Sequence, residues 1–296
     1  MKAKHVIIYL LLVIVTSSCI RDEAPNAEAD ILSCRLPGIT MTTSPIINNN
    51  SVTLFVTPGT NISALAPEFT LTSGATITPA SGTERNFNSP QEYQVTAADG
   101  IWKKTYAISV IDTELATIYN FEDTISGKKY YIFVERENDK VIMEWASGNA
   151  GYAMTGVAKT ADDYPTFQIA NGKNGKCLSL VTRSTGFFGG LVGMPIAAGN
   201  LFIGSFDVNN AMSNPLQATK FGLPFRHVPT YLAGYYKYKA GDQFTEGGKP
   251  VEGKRDICDI YAIMYETSVS VPTLDGTNAF TSPNLVSMAC LLYTSP

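Results

Sequence analysis

The sequence is poor in the residues on which most enzymatic chemistry depends. Of its 296 residues, only two are histidine, two are tryptophan and 16% are charged. His5 lies at the extreme N-terminus, so a Ser-His-Asp or Cys-His site would have to use His227, and neither a G-x-S-x-G nor an H-E-x-x-H motif is present. His227 lies in the Pro-bounded stretch PFRHVPTY, and we interpret it as a surface or packing residue.

Positive charge and paired cysteines are also scarce. The formal net charge is −4, and we find no basic stripe or nucleic-acid motif, so the sequence argues against a nucleic-acid partner. No two cysteines have the spacing of metal ligands. Cys34, Cys177 and Cys258 lie inside apolar runs, and we predict that all three are buried and act as small hydrophobic residues.

The apolar run near the N-terminus is too short to cross a bilayer. Residues 6–15 (VIIYLLLVIV) follow two lysines and precede small residues, which predicts a signal peptide over residues 1–18. Cys19 then resembles the cysteine of a bacterial lipobox, which implies that Cys19 is lipidated and the signal peptide removed; a plain secreted protein is the alternative. Acidic residues in the tether, residues 19–30, resemble an export tag for the outer face of the outer membrane, and a merely solvated tether is the alternative.

Long helix-forming stretches are missing, and short strand-like runs take their place. Runs rich in Val, Ile, Thr, Tyr and Phe alternate with Gly, Pro, Asn and Asp, which is typical of all-β sandwiches. We predict an Ig-like β-sandwich over residues 31–111 and a jelly-roll β-sandwich over residues 113–289. The predicted strands are 31–36, 51–56, 68–71, 75–78, 91–97, 101–110, 117–121, 130–135, 140–145, 166–170, 176–183, 200–206, 231–239 and 258–266.

One hairpin and one strand have the clearest alternation. Asp99-Gly100 suits a tight turn, because glycine adopts positive φ without strain. The alternation on either side predicts a core face made of Tyr93, Val95, Ala97, Tyr106, Ile108 and Val110. In CDIYAIMYE (258–266) one face is predicted to be core and the other, which is aromatic and partly polar, is a candidate ligand face.

The first predicted domain resembles a known group of modules. The motifs APEFTL (66–71), PASG (79–82) and YQVTAADG (93–100) resemble the small Ig-like domains that follow the lipid anchor in lipoproteins of glycan-degrading gut bacteria. The resemblance covers about residues 30–111. It implies a spacer with no chemistry of its own.

The second predicted domain resembles another family through several motifs in order. They are TIYNFED (117–123), EWASGNAGYA (144–153), GKCLSLVTRSTGFFGG (175–190), PIAAGNLFIGSFD (195–207), NPLQATKFGLPF (214–225) and YLAGYYKYKAG (231–241). These resemble the PCMD family of bacterial lipoproteins, named for a role in carbohydrate metabolism. The resemblance implies a carbohydrate as substrate class and further strands beyond residue 289. Residues 290–296 (CLLYTSP) resemble a translated sequencing adapter, and we interpret them as an artefact.

Sugar binding requires aromatic rings for the apolar face of a pyranose and planar polar groups for its hydroxyls. Residues 144–152 combine such side chains, Arg183 ends an alternating strand, and Tyr231, Tyr235 and Lys237 share one predicted face. The predicted ligand-binding residues are Trp145, Asn149, Tyr152, Arg183 and Tyr235. A core position is the alternative to a ligand platform for Trp145, and one of the two faces of 231–239, with Tyr231 and Tyr235 or with Tyr236 and Tyr238, is expected to be core.

Glycoside hydrolysis needs two carboxylates, which sequence spacing alone does not place together. The candidates are Glu122, Asp123, Glu144, Asp162, Asp163, Asp207 and Asp259. We assign no catalytic residue and no cofactor. Glu122 and Asp123 are also candidate ligands of a structural Ca²⁺, with simple solvation as the alternative.

These expectations combine into one hypothesis. The protein is predicted to be an outer-membrane lipoprotein, exposed at the cell surface, that binds poly- or oligosaccharides in a polysaccharide-use system, beside an outer-membrane transporter. A glycan-active enzyme with paired carboxylates and a structural or adhesin-like envelope protein are the alternatives.

Overall fold

The computed structural model describes residues 25–268 and 270–292. The predicted signal peptide and Cys19 lie outside these residues. The all-β class is confirmed, because strand residues far outnumber helical residues in the described chain, and each helix is a single turn or little more.

The strands of the first domain are β1 Ile31–Arg35, β2 Ile46–Ile47, β3 Ser51–Phe55, β4 Glu68–Leu71, β5 Thr76–Thr78, β6 Gln91–Thr96 and β7 Lys103–Ile111. Those of the second are β8 Val134–Glu137, β9 Lys140–Ala146, β10 Thr166–Ile169, β11 Cys177–Leu180, β12 Arg183–Ser184, β13 Ile196–Ala197, β14 Phe202–Phe206, β15 Thr219–Phe221, β16 Thr245–Glu246, β17 Lys249–Pro250, β18 Asp259–Tyr265, β19 Leu274–Asp275 and β20 Leu285–Leu292. The helices are α1 Asn149–Ala153, α2 Gly186–Leu191 and α3 Pro215–Ala218, with a 3₁₀ turn at Ala161–Asp163.

The first domain is a sandwich of two sheets. One sheet has the order β2-β3-β7-β6-β5, in which β3 and β7 run parallel, and the other pairs β1 with β4. Apolar residues of both sheets form one core, because alternate side chains of each strand point inward. The fully buried members include Val52, Leu54, Val95, Ile108 and Val110.

The predicted hairpin of this domain is confirmed. Strands β6 and β7 are antiparallel with Tyr93 opposite Tyr106, and the six residues predicted to face the core are all buried. Strand β7 begins at Lys103 rather than at Ile101. The Asp99 carboxylate accepts hydrogen bonds from the backbone N–H groups of Ile101 and Trp102, which holds both residues in the turn.

The second domain is assembled from shorter pieces. One sheet has the order β19-β15-β14-β9-β8, and two-stranded ribbons join β10 to β11, β12 to β13, β16 to β17, and β18 to β20. Strand β9 lies in the middle of this sheet between β8 and β14. It leads directly into α1, so one continuous segment carries both Trp145 and Tyr152.

Two strand predictions for this domain are wrong, the strand predicted at 130–135 begins only at Val134, and a further one is divided. Residues 117–121 are irregular, and Phe121 has φ 58°, a left-handed conformation that an extended strand does not contain. Residues 231–239 are also irregular and belong to no strand of the described chain. The predicted strand 176–183 is divided between β11, which pairs with β10, and β12, which pairs with β13.

Burial in the second domain also departs from the prediction. Neither face of β18 is fully buried, so the expected core face is only half-covered. Cys34 is buried as predicted, and burial raises the pKa of its thiol to about 12, whereas Cys177 and Cys258 are half-exposed. Strand β20 continues its pairing with β18 through Leu292, and the interpretation of residues 290–296 as an artefact stays a prediction.

Two ion pairs fix the segment at the boundary between the domains. The Lys140 ammonium lies 2.7 Å from the Asp112 carboxylate, and His227 Nε2 lies 3.0 Å from the Glu114 carboxylate. The His227 ring also contacts Phe225, with centroids 5.3 Å apart. His227 is therefore a packing residue at the domain junction, as expected. Across the described residues, we find no helix with the length and apolar character needed to span a membrane.

Candidate functional site

Trp145 is part of an aromatic cluster at the edge of the second domain. Its ring centroid lies 5.0 Å from that of Tyr119, nearly perpendicular, and 5.4 Å from that of Phe121. The indole N–H donates a hydrogen bond of 2.9 Å to the Glu135 carboxylate. With its ring contacts and its N–H already used, this half-buried tryptophan is placed for packing, and its predicted contact with a ligand stays a prediction.

Glu135 is the most unusual acid beside this cluster. Burial raises the pKa of its carboxyl, the hydrogen bond from Trp145 opposes that rise, and the negative charge of Asp123 adds to it. Burial, together with the charge of Glu135, raises the pKa of Tyr119 to about 12. A carboxyl that holds its proton more firmly than usual is a candidate general acid. Glu135 was not among the acids selected from the sequence, where it only ends the predicted strand 130–135.

Glu144 is a second acid with a raised pKa. Its side chain reaches solvent but is crowded by protein atoms, and this desolvation outweighs the nearby Lys128 charge. Glu144 is paired with Val134 across the β8–β9 ladder, whereas Glu135 is paired with Met143. Because successive residues of a strand point to opposite faces, the two glutamates lie on opposite sides of the ribbon and do not form one pair.

Asn149 and Tyr152 hold α1 in place. The Asn149 amide donates to the carbonyl of Thr166 at 2.7 Å and accepts from its N–H at 3.1 Å, with only 1% of the residue exposed. The Tyr152 hydroxyl donates to the carbonyl of Ser184 at 2.8 Å. Both side chains are buried, and their polar atoms form hydrogen bonds with backbone groups. In this structure, the two residues therefore stabilise the fold. Their predicted contact with a ligand stays a prediction.

Arg183 lies in a polar group at the surface. Its Nη2 donates to the Asp162 carbonyl at 3.1 Å, and its guanidinium carbon lies 5.6 Å from the centroid of the Phe167 ring. The Asp162 carboxylate accepts a hydrogen bond of 3.0 Å from the Tyr131 hydroxyl. The Nε of Arg183 is buried and has no hydrogen-bond partner in the described residues, so a contact with a bound molecule would have to use the Nη atoms.

Tyr235 is the most accessible of the predicted ligand-binding residues. It is 81% exposed, and Tyr231 and Tyr236 in the same segment are 82% and 48% exposed. The Lys173 ammonium lies 3.1 Å from the centroid of the Tyr235 ring. We call these four residues, Tyr231, Tyr235, Tyr236 and Lys173, the exposed tyrosine surface.

Lys173 reaches this surface from the turn that joins β10 to β11. The turn closes with a hydrogen bond of 2.9 Å from Gly172 N–H to the Gly175 carbonyl, and Gly175 has φ 75°. The sequence analysis missed Lys173. The repeated Asn-Gly of NGKNGK (171–176) was the available signal, because this dipeptide favours tight turns that project a side chain outward.

Glu122, one of the two predicted calcium ligands, has a hydrogen-bond partner within the protein. The Glu122 carboxylate accepts a hydrogen bond of 2.9 Å from the backbone N–H of Lys176. Within residues 25–268 and 270–292, no three His, Cys, Asp or Glu side chains come together as metal ligands. A structural Ca²⁺ held by Glu122 and Asp123 stays a prediction.

Two family models match separate parts of this chain. Residues 120–295 match the family model described as "Putative carbohydrate metabolism domain" (PCMD), and residues 31–110 match that of the N-terminal domain of SGBP, surface glycan-binding protein. A crystal structure of a putative glycoside hydrolase from Bacteroides thetaiotaomicron VPI-5482 is 83% identical, with TM-score 0.88, over 93% of this chain and 81% of that one. A second, also of a putative glycoside hydrolase, from Bacteroides vulgatus ATCC 8482, is 46% identical, with TM-score 0.55, over 59% of this chain and 72% of that one. A search of curated proteins found no match.

Fold and matches together define a two-domain, all-β protein built from carbohydrate-related domains, the class to which glycan-associated surface proteins belong. The chain belongs to the PCMD family.

Proposed function

We propose that the protein is a lipid-anchored protein of the outer membrane that captures glycans at the cell surface without cleaving them. The exposed tyrosine surface carries this proposal. Lys173 lies against the Tyr235 ring, yet 81% of Tyr235 stays accessible, so a broad area of aromatic surface is open to a ligand. The apolar face of a pyranose can pack on such a ring, and a nearby ammonium can donate hydrogen bonds to hydroxyl groups.

The polar group around Arg183 supplies a second type of contact. Arg183 and Asp162 lie side by side, and together they offer guanidinium donors and a carboxylate acceptor. A vicinal pair of sugar hydroxyls needs this combination, since each hydroxyl both donates and accepts. The β10–β11 hairpin links this group, at Phe167, to the exposed tyrosine surface, at Lys173.

The proposed arrangement at the cell surface combines the predicted lipid anchor with the two domains. A lipid on Cys19 would tether the chain, the first domain would act as a spacer, and the second would meet the glycan. The match of residues 31–110 to the N-terminal domain of surface glycan-binding proteins supports this order. An outer-membrane transporter is the partner that would receive a captured oligosaccharide.

A glycan-active enzyme is the second candidate function. Two observations favour it: the raised pKa of Glu135 beside Trp145 and Asp123, and the description of two similar structures as putative glycoside hydrolases. A half-buried carboxyl could protonate a leaving group while an exposed carboxylate assists. In this mechanism Glu135 would be the acid and Asp123 its partner.

One experiment separates these functions. The chain lacking residues 1–19 is run through affinity gels that contain plant or host polysaccharides, and released reducing sugar is measured in the same samples. Capture predicts retardation without release, and a Tyr231→Ala/Tyr235→Ala variant that no longer binds.

Release that disappears in a folded Glu135→Gln variant would establish the enzyme instead. Neither retardation nor release from a folded chain would favour the structural or adhesin-like alternative.

A further inference from the structure

The exposed tyrosine surface is bordered by lysines that have no acidic partner. Lys173 and Lys176 lie in the turn 171–176, and Lys237 and Lys239 lie in the tyrosine segment 229–241. All four are exposed. None of them forms a salt bridge within the described residues, whereas the basic residues that do are Arg35, Lys104, Lys140, Lys220, His227 and Lys254.

The local charge is opposite to that of the chain. The whole sequence has 26 acidic and 22 basic side chains, yet neither the turn 171–176 nor the segment 229–241 contains an aspartate or glutamate. The contact between Lys173 and Tyr235 brings the two segments together. Glu122 contacts the turn, where its carboxylate accepts a hydrogen bond from the backbone N–H of Lys176, and Asp242 directly follows the tyrosine segment.

We propose that the exposed tyrosine surface recognises acidic polysaccharides, whose sugars carry carboxylate or sulfate groups. This inference rests on the proposed glycan-binding function and adds the class of glycan. Tyr235 would pack against the apolar face of one sugar, while the lysines would meet anionic groups on that sugar and its neighbours. Lysine suits this role as a mobile point charge, because an acidic polysaccharide presents repeated charges rather than one fixed bidentate group.

Salt dependence and charge neutralisation should reveal this contact. Exposed charges separated by more than a Debye length, about 10 Å at 0.1 M salt, are largely screened. Each exposed ion pair contributes a factor of about 1.4 to 5 in affinity, so three lysines together should change it about 3-fold to 100-fold, with about tenfold as the central expectation.

The test measures dissociation constants for matched pairs of polysaccharides at low and high salt. Polygalacturonate is compared with its fully methyl-esterified form, and sulfated κ-carrageenan with neutral agarose oligosaccharides; the two pairs separate carboxylate from sulfate. The variants are the wild-type chain without residues 1–19, a Lys173→Gln/Lys237→Gln/Lys239→Gln triple variant, and Lys103→Gln. Lys103 is a matched control, because it is exposed, has no salt bridge in the described chain and adjoins the exposed Trp102.

We expect about tenfold tighter binding to the charged member of at least one pair, and this preference should disappear at high salt. The triple variant should lose about tenfold in affinity for the charged polysaccharide, whereas Lys103→Gln should not.

Equal binding to charged and neutral partners would overturn the inference while leaving glycan capture intact. Charge-dependent binding that the triple variant retains would overturn the location. Equally tight binding of single-stranded DNA would indicate a general polyanion surface and contradict glycan recognition. Binding to no polysaccharide at all would overturn the inference and the proposed function together.

Discussion

The two domains differ most in what they leave exposed. The first encloses one continuous core in which Val52, Leu54, Val95 and Ile108 have no accessible surface. Of the 24 large hydrophobic side chains that are exposed in the described residues, only three, Leu32, Ile101 and Trp102, precede residue 112, which leaves 21 in the remainder. The second domain therefore leaves many more large apolar side chains accessible than the first.

In the function we propose, this difference corresponds to separate tasks for the two domains. The first has the burial of a self-sufficient module, as expected of a spacer. The second domain contains both packed and exposed aromatic residues. Trp145 packs against other rings, whereas Tyr231 and Tyr235 are accessible to solvent. Contact with a glycan therefore belongs to the second domain in our account.

The largest expected change in unfolding free energy comes from truncating a core residue, and it should differ between the two domains. Replacing the fully buried Ile108 by alanine should destabilise the first domain by about 2–5 kcal/mol, since a cavity is left in a closed core. Replacing the half-buried Ile263 of β18 should cost about 1 kcal/mol. Urea unfolding followed by circular dichroism measures both, and equal losses would contradict the contrast in packing.

A smaller effect tests the clamp that holds α1. Asn149→Ala removes two hydrogen bonds and leaves the buried backbone groups of Thr166 unpaired, which should cost about 2–3 kcal/mol. The exposed Asn171 provides the matched control, and Asn171→Ala should change the unfolding free energy by less than about 0.5 kcal/mol. A stable Asn149→Ala variant with weakened glycan binding would instead support the original ligand-binding prediction.

One acid beside the first domain and one in the second should respond to acid in opposite directions. In the first, the hydrogen bond from Lys104 lowers the pKa of Asp30, so its contribution is present above the ordinary value of 3.8 and is lost as pH falls through the lower folded-state pKa. In the second, burial raises the pKa of Glu135 above the ordinary value of 4.5. The folded state therefore binds this proton more tightly, and the second domain should gain stability as pH falls from 7 through the raised pKa towards 4.5.

Tryptophan fluorescence can follow this response in one domain. Trp102 is 64% exposed, and its replacement by phenylalanine leaves Trp145 as the reporter of the second domain. The urea midpoint at pH 5 should exceed that at pH 7, and Glu135→Gln should reduce the difference. Glu144, whose pKa is raised in the same direction, should account for the remainder. A midpoint that only falls with acid would show that Glu135 is not desolvated.

The sequence predicted the first domain better than the second for a physical reason. The β6–β7 hairpin is local, with a turn at Asp99-Gly100 and strict alternation, so nearby residues determine its register. Residues 231–239 also alternate in type, yet a strand requires a partner, and alternation within one segment does not provide it.

The candidate site was predictable only in part, for a related reason. Tyr235 could be selected by type, but its neighbour Lys173 comes from a distant turn. Asn149 also has the right type for a ligand contact, and only the fold shows that Thr166 uses its amide. The role of such residues depends on long-range neighbours, which spacing along one chain does not specify.

The most direct test compares one exposed aromatic residue from each domain. A polysaccharide that the wild-type chain retains is titrated by calorimetry into the wild type, Tyr235→Ala and Trp102→Ala, after each variant is shown to be folded. Loss of a stacking ring should weaken binding by about 1.4 kcal/mol, or about tenfold, in Tyr235→Ala, and Trp102→Ala should bind like the wild type. If Trp102→Ala loses affinity and Tyr235→Ala does not, the glycan binds the first domain and our assignment of tasks to the two domains is wrong.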